Sequence, residues 1–212
     1  MTIKYYIYIS DTKVDMLFAQ IPINILKKIS AELSINLGVF NVTLRENQSE
    51  QTRFDKVHVV SNYINQHLDV GDVDHPQTYF KASVAMQWGA LFGGSDQNFV
   101  YFAGKTDQTI FGLGGSTQHM IGEQKGQSPG ANSFTPSILA ALKKLDIHSD
   151  FPVSSHDVQI SGDPLRLVAT ATGWRELGPE EPLEFLAKKL VEGSLDSTHV
   201  LLGTPIYVAY GE

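Results

Sequence analysis

From Tyr79 to Gly122 the apolar side chains recur at every second position, in β-rich segments at Tyr79–Trp88, Phe99–Ala103 and Thr109–Leu113. The spacers between them, Gly93-Gly94-Ser95-Asp96 and Gly104-Lys105-Thr106-Asp107, are short and made of turn formers. Such spacers connect hairpins, so the middle of the chain must fold as an antiparallel meander.

Other periods flank it. An aromatic strand, Lys4-Tyr5-Tyr6-Ile7-Tyr8-Ile9, opens the chain and passes directly into the polar run Ser10-Asp11-Thr12-Lys13-Val14-Asp15. Pro22 suits a first helical turn, and Leu26, Ile29 and Leu33 follow at helical spacing, which predicts a helix over Pro22–Leu33. Gly38, Phe40, Val42 and Leu44 alternate with Val39, Asn41, Thr43 and Arg45 as a half-buried strand would, completing a β-α-β opening. A second helical stripe holds Phe54, Val57, Val60, Ile64 and Leu68, with Gly71 placed to end it.

Gly122–Asn132 is rich in Gly, Pro, Gln and Ser without periodicity and reads as a loop. Thr135 and Pro136 then supply an N-cap and a first-turn proline for a helix bearing Ile138, Leu139, Leu142 and Leu145. The last third reads as another β-α-β unit: a strand at Leu165–Thr172, a helix at Pro182–Leu190 with Leu183, Leu186 and Leu190 on one face, and a strand at Val200–Tyr210. The expected fold is α+β, a central largely antiparallel sheet with β-α-β units at both ends and helices packed on it. One domain over residues 1–212 is expected, with a suspicion of repeated halves at about 1–122 and 133–212.

Composition narrows the function classes. A formal charge of −7 disfavours nucleic acid, whose phosphates demand a clustered basic face. The absence of cysteine removes disulfides, thiolate metal sites and a cysteine nucleophile, and fits a reducing, cytoplasmic setting. No apolar run approaches the roughly 20 residues that span a bilayer, so no membrane partner is expected.

Named catalytic motifs fail on their mechanics. Gly104-Lys105-Thr106 ends like a phosphate-binding loop, but Phe99 stands where the first glycine belongs and a strand follows where a helix should. Gly112-Leu113-Gly114-Gly115 begins like a dinucleotide fingerprint, but Thr117 takes the last glycine's place. Gly114-Gly115-Ser116-Thr117-Gln118 is half of a nucleophile elbow, with Gln118 for the closing glycine. Asp69, Asp72, Asp74 and His75 depart from the calcium-loop pattern and read as a solvated acidic loop, so neither metal nor cofactor is expected.

Two polar clusters survive as ligand-binding candidates: Ser10, Asp11, Lys13 and Asp15 after the first strand, and Lys105, Gly114, Gly115, Ser116 and His119 in the meander. Glycines allow close backbone approach, while hydroxyl, carboxylate, ammonium and imidazole groups can orient a ligand. Each group also has a bland reading, such as a capped turn, a Lys13–Asp15 pair, or a tight bend beside a core histidine.

The opening Lys4–Leu17 run, Met86-Gln87-Trp88-Gly89, Gly112–Ser116 with His119, Gly173-Trp174-Arg175-Glu176-Leu177 and Leu201–Val208 together resemble an uncharacterised bacterial family of domains of unknown function. The resemblance implies bacterial origin and one integrated fold over nearly the whole chain, and it implies no reaction. The leading expectation is a non-catalytic cytoplasmic module that recognises a small-molecule ligand or a protein partner. The alternatives are a phosphodiesterase-like hydrolase of a small anionic substrate, with His119 as acid/base and Lys105 or Lys13 stabilising charge, and a self-assembling structural component forming homo-oligomers. All site proposals require residues about a hundred positions apart to converge.

Overall fold

The computed structural model describes residues 4–35, 50–92, 98–122, 135–146, 163–173 and 177–211. In chain order the elements are β1 (Tyr6–Ile9), α1 (Asp11–Phe18), α2 (Ile23–Glu32), α3 (Glu50–His67), β2 (Val70–Gly71), β3 (Tyr79–Phe92), β4 (Asn98–Lys105), β5 (Thr109–Ser116), a 3-10 turn (Thr117–His119), α4 (Thr135–Asp146), α5 (Pro164–Ala171), β6 (Glu181–Leu195) and β7 (Thr198–Tyr210). The meander forms as its spacers require: β3 pairs with β4 and β4 with β5, both antiparallel.

The sheet does not stay open. β5 pairs in parallel with β7, β7 pairs antiparallel with β6, and β6 returns to pair antiparallel with β3. Those five strands close into a barrel, which removes the exposed edges an open sheet would leave. β1 and β2 lie outside the closed ring, on β7 and β3. A barrel this small is filled by its own side chains. Phe80, Phe102, Phe111 and Phe185, all buried, occupy the interior with Tyr8, Met86, Leu113 and Leu201. Phe80 meets Phe185 edge to face with centroids 5.6 Å apart. A Cβ on Gly203 would stand 2.6 Å from the Phe80 ring, so this strand must present glycine there for the aromatic interior to fit.

Helices cover the outside in two groups. Val14, Ile21, Ile29, Val57, Val60 and Ile64 from α1, the α1–α2 connection, α2 and α3 pack against Tyr6, Leu186, Ile206 and Tyr207. On another face, Ile138 and Leu142 of α4 and Leu167, Val168 and Ala171 of α5 pack on Phe99, Tyr101, Val200 and Leu202.

Two expectations are corrected. Leu165–Thr172 is helical, not a strand: Asp163 accepts a hydrogen bond from Leu165 N at 3.0 Å and Pro164 sits in the first turn, a start signal that outweighs the β-branched Val168 and Thr170. Pro182–Leu190 belongs to β6, not to a helix. Leu183, Phe185 and Ala187 enter the barrel while Leu186 packs under the helices, and a strand buried on both faces loses its alternating signature. The polar run after β1 forms the helix α1. The C-terminal end is therefore α-β-β, and the opening is β-α-α as far as Leu33. The predicted strand around Gly38–Leu44 and most of the Gly122–Asn132 loop lie outside the described residues.

Candidate functional site

Two strands lie end to end along one flank of β7. β5 runs parallel to it beside His199–Gly203, and β1 runs antiparallel to it beside Tyr207–Ala209. Because the two point in opposite directions, their carboxyl ends face each other, and the segments leaving them are delivered to one place. Ser10 and α1 arrive from one side, Ser116 and the 3-10 turn from the other.

β7 carries a bulge at this junction. Tyr207 is opposite Leu186 and Pro205 opposite Ala187, which leaves Ile206 as the extra residue. The Ile206 carbonyl accepts from Ser10 N at 2.9 Å, and Thr204 Oγ1 donates to the Gly114 carbonyl at 3.0 Å. Beyond the 3-10 turn the chain runs back along β1, with Ile121 N donating to Ile7 O at 3.0 Å.

Asp11 and His119, 108 positions apart, meet here: His119 Nδ1 is 3.7 Å from Asp11 Oδ2. That is charge proximity and not a hydrogen bond, and His119 Nδ1 is buried without a hydrogen-bond partner among the described residues. The His119 ring stands edge-on to Tyr8, 5.9 Å between centroids.

Arg53 of α3 clamps the meeting point. Its Nε lies 2.6 Å from Asp11 Oδ1 as an ion-pair contact, and its Nη2 donates to the carbonyls of Ile9 at 3.0 Å and His119 at 3.3 Å. One guanidinium thus ties the end of β1, the first turn of α1 and the end of the 3-10 turn, a task for a planar fork of donors that lysine cannot perform. Sequence reasoning missed Arg53 because it lies just before the apolar stripe of its helix. A lone basic residue at the edge of a hydrophobic face was its only signal.

Lys13 is placed differently. Its Nζ donates to Ser10 Oγ at 3.1 Å, and among the described residues no carboxylate lies within ion-pair distance of it. Asp15, the partner its sequence suggests, is taken by Lys56 at 2.7 Å. Burial alone lowers the Lys13 ammonium to about 8. Ser10 stands at the N-cap of α1 and is buried, yet its hydroxyl makes no capping bond.

The other candidates divide. Ser116 is buried at the N-cap of the 3-10 turn, where its Oγ accepts from Gln118 N at 3.4 Å. Gly114 and Gly115 face their own protein: a Cβ on Gly114 would meet Ile138 and Phe99, and one on Gly115 would meet the Tyr8 hydroxyl. Lys105 pairs with Ile110 at one end of the β4–β5 hairpin while Ser116 pairs with Phe99 at the other, a separation of about 20 Å along the strands. Ser10, Asp11, Lys13, Ser116 and His119 therefore share the junction, Asp15 lies on its outer side with Lys56, and Lys105 is elsewhere.

Lys105 belongs to the end where Thr106 donates to Asp74, Thr109 Oγ1 lies 2.9 Å from His199 Nδ1, and Lys189 contacts Glu192 at 2.6 Å. The Thr106 hydroxyl foremost holds the Asp74 carboxyl below its usual range, and Lys189 does the same for Glu192. Asp72 Oδ1 accepts from the backbone N–H groups of Asp74 and His75, as a turn-closing aspartate does. Among the described residues no set of three or more His, Asp or Glu side chains is arranged to hold a metal ion.

A family profile, that of a family of unknown function, DUF7019, matches residues 4–212. The chain belongs to DUF7019. No curated protein and no solved structure matches this DUF7019 chain. Among its described residues no helix is long and apolar enough to cross a membrane.

Proposed function

We propose that this DUF7019 protein is a bacterial, cytoplasmic recognition module that holds the anionic group of a small molecule at the β1–β5 junction. The carrying observation is Lys13: a largely buried ammonium bonded to one hydroxyl, with no carboxylate to neutralise it among the described residues. Burying a cation without a counter-charge is costly, and a ligand that supplies the charge recovers that cost. The first turn of α1, which begins without a side-chain cap, adds N–H groups of the right polarity. The filled barrel supports a site on the wall, since aromatic rings occupy the interior. The Arg53 clamp supports a preformed site, because both chain ends are fixed before any ligand arrives.

Thermal-shift screening with inorganic phosphate, nucleotides, carboxylates and neutral sugars tests this reading. Ligands bearing an anion should raise the midpoint of the wild type, by an amount equivalent to about 2.7 kcal/mol at a hundredfold excess over Kd. They should leave Lys13→Met unmoved. Uniformly flat wild-type responses would remove the small-molecule role. The hydrolase alternative is favoured by one observation, the approach of His119 to Asp11, which sets an imidazole beside a carboxylate already oriented by Arg53. Its version using Lys105 has no geometric support, since Lys105 sits at the far end of the hairpin.

A further inference from the structure

Ser10 behaves unlike an ordinary cap. A serine at this position normally accepts a bond from the second or third helical N–H, worth about 1 kcal/mol. Here the hydroxyl forgoes it and turns to Lys13 Nζ, 3.1 Å away. Three positions apart across a helix start, the two side chains are neighbours by construction. Ser10 N is tied to Ile206 O at the β7 bulge, so the serine is fixed from the backbone as well.

We propose that Ser10 is a nucleophile activated by Lys13, giving the junction an acyl-transfer activity toward small activated esters. Ser10-Asp11-Thr12-Lys13 has the Ser-x-x-Lys spacing used by serine acyltransferases with a lysine base, with Ser10 at the start of α1, and shares only that spacing with them. Asp11 and Asp15 are engaged by Arg53 and Lys56, so neither carboxylate holds Lys13 in its charged form. With its ammonium lowered to about 8 by burial, the side chain is a free amine in about a tenth of molecules at pH 7 and in half of them near pH 8. A base so poised suits proton transfer near neutrality.

In the step itself, neutral Lys13 Nζ takes the Ser10 Oγ proton as the oxygen bonds to the ester carbonyl carbon. The carbon–oxygen bond to the leaving alcohol breaks, and that alcohol receives the proton from Lys13. Water then attacks the Ser10 acyl ester, giving its proton to Lys13, which returns one to Oγ as the acid leaves. The Thr12 and Lys13 backbone N–H groups have no intrahelical partner in the first turn and have the polarity that stabilises the carbonyl oxyanion. Because Ser10 is only 1 % exposed, small acyl groups should react ahead of long ones.

This inference shares the location of the recognition site but does not require an anion to bind there. The test is incubation of the whole chain with p-nitrophenyl acetate, followed by intact mass measurement and peptide mapping across pH 6–10. The expected result is one acetyl group on Ser10, absent in Ser10→Ala. The rate should rise with pH and level off above about 8, and fall roughly a hundredfold in Lys13→Met. Melting curves of both variants confirm folding, and mapping on the wild type decides the question even if a variant is lost. No adduct, or an adduct on Lys13 with Ser10 unmodified, overturns the proposal. Anion binding by a chain that does not acylate leaves the recognition reading standing and removes this one, whereas acylation with a uniformly flat response to phosphate, nucleotides and carboxylates does the reverse.

Discussion

Replacing Lys13 by methionine should make the protein more stable, and the gain should disappear in alkali. The ammonium falls from 10.5 to about 8 because burial strips its water, and a fall of that size corresponds to about 3 kcal/mol against folding with the charge in place. Methionine has similar length and no charge, so it removes the cost. It also leaves Ser10 Oγ without its donor, a loss of about 1 kcal/mol. The expected net gain at pH 7 is about 2 kcal/mol. Between about 8 and 10.5 the unfolded chain binds the Lys13 proton while the folded chain does not, so wild-type stability rises with pH through that window. The advantage of Lys13→Met should therefore shrink through the same window and reverse slightly above it. Urea unfolding of both proteins at pH 7, 8.5 and 10 measures this. A variant less stable than wild type at pH 7, or a gain that ignores pH, would refute the argument that Lys13 is buried without a counter-charge from the described residues.

Arg53→Ala should destabilise by roughly 2–4 kcal/mol, because it removes an ion pair and two charged hydrogen bonds together, and Arg53→Lys should recover little of that; both are read by urea titration. Gly203→Ala forces a Cβ against the Phe80 ring inside the barrel and should cost about 1–3 kcal/mol, visible as a lowered thermal midpoint. Asp163→Ala removes the α5 cap and should cost about 1 kcal/mol, with amide exchange quickening first at Leu165.

The legible parts of the fold obey local rules. The hairpin around Gly104–Asp107 and the helix beginning at Thr135-Pro136 need only neighbours within a few positions, and both stand in the fold. β6 was hidden, because burial on two faces erased its period of two. Barrel closure was illegible for a deeper reason: the parallel pairing of β5 with β7 joins residues about 90 positions apart and leaves no local mark. A similar distance separates Asp11 from His119, whose meeting depends on β1 and β5 sharing a flank of β7. Residue types alone could nominate Ser10, Asp11, Lys13, Ser116 and His119. They could not tell that Lys105 stands at the other end of the β4–β5 hairpin, nor find Arg53, whose contacts at the junction are all long-range.

The most direct measurement is an NMR titration of the Lys13 amine, observed through its side-chain carbons, with and without inorganic phosphate. The account predicts a midpoint near 8 in the free protein, moving upward as phosphate supplies a counter-charge. A midpoint near 10.5 that phosphate does not move would contradict it.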